Sequence, residues 1–200
     1  MIKLLFPRFW QRLGLPFLAL AAMLPLRVLA AIDAPVSPNA QPGVAQLLDF
    51  LGSINGTYVL AGQQEIDWDP TRKNEDFDYI LKVTGKTPAV RGFDYLQYTY
   101  SATTRAQQDV TARALAWARA GGIVACCCHF YVDIGSPPNS PQYFAPNANP
   151  GAVGTTFDIR QAVIPGTLEN TEILTKLDFL AAEFARLRDA GVVVLWRPFH

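Results

Sequence analysis

The sequence predicts an α/β fold with a parallel sheet, and three observations carry the prediction. Short apolar runs of strand length alternate with amphipathic stretches at helical spacing, in the order helix, then β-α-β-α-β-α-β. The strand runs are near-continuously apolar, as expected when helices cover one face of a sheet and a packed interior fills the other. Two of the βα units echo each other: Ala120-Gly121-Gly122-Ile123-Val124 resembles Ala190-Gly191-Val192-Val193-Val194, and each leads to a histidine, His129 and His200. Strands joined through helices pair in parallel by right-handed crossovers. Both histidines therefore arrive at the same, C-terminal edge of the sheet, where barrels and open doubly wound sheets alike place ligands.

The N-terminus precedes this pattern. Lys3, Arg8 and Arg12 form a positive region, residues 13–26 are apolar and uncharged, and Val28-Leu29-Ala30 offers small or apolar residues before a cleavage point. Residues 1–30 read as a secretory signal peptide cut after Ala30, which predicts a secreted or periplasmic product. The apolar run is shorter than the ~20 residues a membrane span needs and is interrupted by Pro16 and Pro25. No membrane partner is expected once the signal is removed. Residues 31–42, rich in Pro and Ala, read as a linker, and 43–200 as the folded unit.

Within that unit, Val44, Leu47, Leu48 and Leu51 recur at helical spacing up to Gly52. Residues 58–61 read as the first strand. A helix over 74–83 has Asn74 as candidate cap, Phe77, Ile80 and Leu81 on one face, and Gly85 at its end. Residues 89–93 are the second strand, 104–120 a helix stopped by Gly121-Gly122, and 123–128 the third strand. A Pro- and Asn-rich loop over 131–166 exceeds the ~12–15 residues usual for structureless connections and reads as a functional lip. A long helix follows, with Ile173, Leu177, Leu180, Phe184 and Leu187 as its inner stripe, and 192–196 is the fourth strand. A complete eight-unit barrel takes ~250 residues, and four units are visible, so the chain reads as half of such a domain.

Composition narrows the function. The chain is 50% hydrophobic and 17% charged, and 17 basic residues balance 17 acidic ones. That neutrality removes the electrostatic case for a nucleic-acid partner. No Gly-rich phosphate loop follows any strand, so a nucleotide cofactor is unsupported. The three cysteines are consecutive, Cys126, Cys127 and Cys128. Strand neighbours point to opposite faces, which disfavours a disulfide among them, and free cysteine is usually a small buried hydrophobe. A metal site joining them to His129 is the alternative, but their spacing matches no zinc pattern. No metal and no cofactor are expected. Asn55-Gly56-Thr57 fits a glycosylation sequon, a weak signal at three residues.

The strand ends carry specific residues. They read Gly62-Gln63-Gln64 followed by Trp68; Arg91-Gly92-Phe93-Asp94-Tyr95; a third strand closing on His129; and Trp196-Arg197-Pro198-Phe199-His200. Taken together, this ordered series resembles glycoside hydrolase family 26, whose best-known members are endo-β-1,4-mannanases, over roughly residues 44–200. The resemblance implies a (β/α)8 TIM barrel of which about the first four βα units are present. It further implies a retaining mechanism on β-mannan, in which two carboxyl groups about 5–5.5 Å apart flank the scissile bond. By that resemblance the acid/base glutamate would directly follow His200 and the nucleophile would lie on a later strand, so neither is expected in residues 1–200. His129 and His200 match family sugar contacts near the cleavage point. Arg197 matches an arginine suited to steer carboxylates, since a guanidinium forks onto them. The family often has an aromatic residue where Cys128 stands.

Trp68, Tyr95, Tyr98 and Tyr131 follow strand ends and are candidate sugar platforms, with rim packing the plain alternative for each. Glu65, Asp67, Asp69 and Asp94 lie on or beside the same edge, but a catalytic pair drawn from them is a weak reading. The expected substrate is β-mannan and the expected complete protein a monomer. A related β-glycanase acting on xylan or mixed-linkage glucan, and a non-catalytic carbohydrate-binding remnant, are the alternatives.

Overall fold

The computed structural model describes residues 34–35, 37–67, 69, 71–100, 109–146, 148 and 151–199. The proposed signal peptide, Trp68, His200 and the start of the helix expected at 104 lie outside the described residues. Four parallel strands form one sheet in chain order: β1 (Gly62–Gln64), β2 (Val90–Asp94), β3 (Ile123–Cys127) and β4 (Val194–Arg197). The registers Gly62↔Val90 and Val90↔Ile123 align the starts of β1, β2 and β3, and Asp94↔Cys127 and Cys127↔Arg197 align the ends of β2, β3 and β4. An unreversed order is that of consecutive barrel units. A doubly wound sheet would reverse partway across.

Among the described residues the helices are α1 (Pro42–Ile54), α2 (Glu75–Thr84), α3 (Leu96–Tyr100), α4 (Val110–Arg119), α5 (Ile159–Ala162) and α6 (Leu168–Asp189). Proline opens α1, where its missing N–H costs nothing. Gly85 closes α2 with φ 69°, a left-handed conformation that favours glycine, and its N–H donates to the Leu81 carbonyl at 2.8 Å. Asp109 and Thr167 cap α4 and α6 by accepting from the backbone N–H groups of Ala112 and Asn170.

The core lies between the sheet and α4 and α6, built on Phe93, Val110, Ala114, Val124, Cys126, Cys128, Leu180 and Leu187. Strand alternation divides the cysteines: Cys126 and Cys128 join this core, and Cys127 points toward the other, concave face. All three are buried, unpaired thiols.

Several expectations change. The first strand is 62–64, not 58–61: Tyr58 and Val59 are 71% and 96% exposed, because the ladder begins only where β2 supplies partners for it. Asn74 does not cap α2 with its side chain, whose Oδ1 instead accepts from Arg91 at 2.8 Å. On α6, Leu177 is exposed and Lys176 is buried in its place. Lys176 Nζ reaches the Thr99 carbonyl at 2.8 Å and Asp133 Oδ2 at 3.2 Å, which satisfies the inward-turned ammonium. The lip loop is not wholly irregular, since it contains α5 and an isolated bridge between Val132 and Gln142.

Candidate functional site at the strand ends

The C-terminal edge of the sheet gathers polar side chains from all four strands, and neighbouring strand ends bind one another. Gln64 Nε2 donates to Asp67 Oδ2 at 3.0 Å, and the Asp94 N–H donates to the same oxygen at 3.2 Å. Asp94 in turn engages His129. Its Oδ1 accepts from the His129 N–H at 3.1 Å and from the Leu96 N–H at 2.9 Å, while its Oδ2 meets the ring Nδ1. A single hydrogen-bonded chain thus runs from the end of β1 to the residues after β3. Gly92 makes room for it: a Cβ there would fall 2.2 Å from Gln64 Oε1.

His129 is partly exposed and lines a cavity of about 250 Å³ beneath the lip loop, with Tyr143 packed edge-to-face at 5.1 Å. Tyr131 stands beside it. Its N–H is held by Thr99 Oγ1 at 3.0 Å, and its ring is bracketed by Tyr100 and Tyr143, each 4.9 Å away. Burial pushes the Tyr131 hydroxyl up to about 12. Arg197 ends β4 opposite Cys127, on the concave face over a cavity of about 460 Å³. Burial pushes the Cys127 thiol up to about 11, with the Asp94 charge adding and the Arg197 hydrogen bond opposing.

Of the residues singled out from sequence, His129 and Tyr131 come together and Arg197 shares their edge. Tyr95 and Tyr98 do not join them. Both are core residues, 0% and 3% exposed, because the chain enters α3 directly after β2 and carries both rings under the helices. Tyr95 packs edge-to-face on Phe184, and its hydroxyl lies 3.1 Å from Thr111 Oγ1. Sequence reasoning passed over Tyr143, which offered no signal beyond being one aromatic in a long loop. It named Asp94 without its partner, since only the strand register brings that carboxylate to His129.

The acids of this edge are already committed. Glu65, buried, accepts from Arg91 Nε at 3.0 Å, Arg91 Nη2 at 2.6 Å and Arg113 Nε at 2.7 Å. Burial pushes the Asp67 carboxyl up to about 8, with the charges of Glu65 and Asp94 adding and the Gln64 hydrogen bond opposing. Its Oδ1 is buried without a hydrogen-bond partner among the described residues, with Arg113 Nη2 3.9 Å away. Asp69, half-buried, accepts from the Thr71 N–H and hydroxyl in a turn that lowers its pKa. Among the described residues, no group of three or more His, Cys, Asp or Glu is placed to hold a metal ion, and no helix is long and apolar enough to cross a membrane. The edge can bind and orient a neutral, hydroxyl-rich ligand through the His129 ring, the Arg197 guanidinium and exposed tyrosine rings.

Comparison with known proteins agrees with that chemistry. The model of glycosyl hydrolase family 26 matches residues 36–200. A mannan endo-1,4-beta-mannosidase of Thermothelomyces thermophilus is 34% identical over 171 residues, covering 82% of this chain and 32% of the relative. Mannan endo-1,4-beta-mannosidase A of Piromyces sp. is 28% identical, over 82% of this chain and 26% of its own length. Among solved structures, a ruminal GH26 endo-beta-1,4-mannanase superimposes with a TM-score of 0.71 at 29% identity, over 85% of this chain and 36% of that one. A beta-mannanase from a symbiotic protist of the termite Reticulitermes speratus, solved with a gluco-manno-oligosaccharide, gives 0.68 at 29% identity, over 84% and 51%. The chain therefore spans between about a quarter and a third of the length of these two curated relatives.

Proposed function

Because the chain belongs to glycosyl hydrolase family 26, and so contributes its four βα units to a (β/α)8 barrel, we propose that the protein carrying it is a secreted, retaining endo-β-1,4-mannanase. One observation supports the reading beyond family membership: at the C-terminal edge of the sheet, where barrel enzymes work, His129 lines one cavity beneath the long loop, next to Tyr143, whose ring packs on Tyr131, and Arg197 lines another. His129 and the tyrosines contact the sugar nearest the scissile bond. Arg197 steers a catalytic carboxylate, and His200 and Trp68 belong to the same cleft. The acid/base glutamate directly follows His200, and the nucleophile comes from a later strand. Together they give the paired carboxyl groups that a retaining mechanism requires. The commitment of Glu65, Asp67 and Asp94 to other partners supports assigning both catalytic acids outside residues 34–199.

The test is mannan hydrolysis by the intact protein, with the anomer of the first product followed by NMR. Manno-oligosaccharides of retained configuration are expected, together with slower cleavage of xylan and mixed-linkage glucan. Mannan cleavage by a purified, monomeric 31–200 segment would overturn the assignment of the acids. Oligosaccharide binding with no hydrolysis by the intact protein would favour a carbohydrate-binding role.

A further inference from the structure

The contact between Asp94 and His129 has a chemical direction. Oδ1 of Asp94 already accepts two backbone N–H groups, those of His129 and Leu96, which fixes the plane of the carboxylate. Its Oδ2 is left facing the imidazole Nδ1. A carboxylate oxygen only accepts, so the neutral ring must carry its proton on Nδ1. The remaining nitrogen, Nε2, then holds a lone pair. Asp94 is itself kept in place by its N–H to Asp67 and is 5% exposed, so this orientation is built in before any ligand arrives.

We propose that Asp94 is a positioning residue that locks His129 in its Nδ1–H tautomer, so that Nε2 serves as a hydrogen-bond acceptor for a hydroxyl group of the bound sugar. This rests on the mannanase reading for the identity of the ligand, but not for the state of the ring. Asp94→Asn separates the two. The amide oxygen keeps the two backbone donors, since turning the amide over would set its NH2 against both. The NH2 therefore faces Nδ1, which must then accept, and the proton moves to Nε2. An acceptor toward the sugar becomes a donor while the backbone bonds persist, a change a purely structural role would not produce.

The experiment uses the intact protein carrying this chain, with ring-labelled histidine, and identifies the His129 signals by their loss in His129→Gln. In the wild type at a pH where the ring is neutral, the 15N shifts should show a protonated Nδ1 and an unprotonated Nε2. In Asp94→Asn they should exchange, with the melting transition still cooperative and kcat/KM on mannan lower by about tenfold to a hundredfold, the range typical when a partner that orients a site residue is lost. A wild-type ring protonated on Nε2 overturns the proposal, and that measurement decides even if the variant does not fold. An exchanged ring with unchanged kcat/KM overturns it as well. If the wild type leaves mannan intact, the mannanase reading fails, and the ring shifts still decide whether Asp94 sets the tautomer.

Discussion

Arg91 meets Glu65 through two hydrogen bonds, 3.0 Å from Nε and 2.6 Å from Nη2, while its guanidinium lies 4.3 Å from the centroid of the Phe77 ring. The pair ties the second strand to the residues after the first and packs both against α2. Both side chains are buried, so neither charge can fall back on water if the other is lost. Glu65→Gln should therefore destabilise the protein by roughly 3–5 kcal/mol, measured by denaturant unfolding, because two guanidiniums would share one neutral acceptor. Arg91→Lys should also destabilise the protein in the same measurement, since an ammonium cannot reproduce the fork or the guanidinium contact over the Phe77 ring.

Asp67 predicts a pH dependence. Its folded pKa is raised to about 8 from the ordinary carboxylate range, chiefly by burial. The folded state therefore binds a proton that the unfolded state releases near pH 4. The sign follows: its contribution is fully present below the unfolded value and is lost as pH rises through about 8. Thermal melts of wild type and Asp67→Asn between pH 4 and 9 should diverge, with the wild type losing stability relative to the variant as pH rises. Parallel curves would mean that Asp67 is ionised in the folded protein.

The three cysteines should be chemically quiet. Each is buried, and burial pushes every thiol upward, away from the reactive thiolate. Iodoacetamide should leave Cys126, Cys127 and Cys128 unmodified in the folded protein and alkylate them after denaturation, as read by mass spectrometry of the peptide that contains them.

Removing the His129 or Tyr131 side chain should cost activity more than stability. His129→Ala in the intact protein should lower kcat/KM on mannan by about 10²-fold or more, and Tyr131→Ala should act mainly by raising KM. Melting temperatures should shift by only a few degrees, since both side chains lie at the edge of the site and outside the core cluster.

Gly92→Ala probes the strand-end chain sterically. The added methyl would strike the Gln64 amide and approach Gln64 Cα at 3.3 Å, displacing the side chain that bonds Asp67. A loss of about 1–3 kcal/mol in denaturant unfolding is expected, as for other overpacked sites.

The sequence by itself determined the parallel α/β order, the four strand positions to within a few residues, the buried cysteines and the edge that carries His129 and Arg197. These follow from local signals: apolar runs, glycine stops and the βα echo all act within a few residues of one another. Tertiary structure alone decided which polar residue partners which. Asp94 reaches His129, and Glu65 reaches Arg91 and Arg113, across 26 to 48 residues of chain. Lys176 takes the inward place that periodicity assigned to Leu177 because Thr99 and Asp133 wait there to satisfy its charge. Tyr95 and Tyr98, read as possible platforms, went into the core because a short helix follows β2 at once. The physical reason is common to all of them. Burying an apolar run costs nothing that depends on its neighbour's identity, whereas a buried polar group must find a complementary one, and strand register and helix packing determine which group that is.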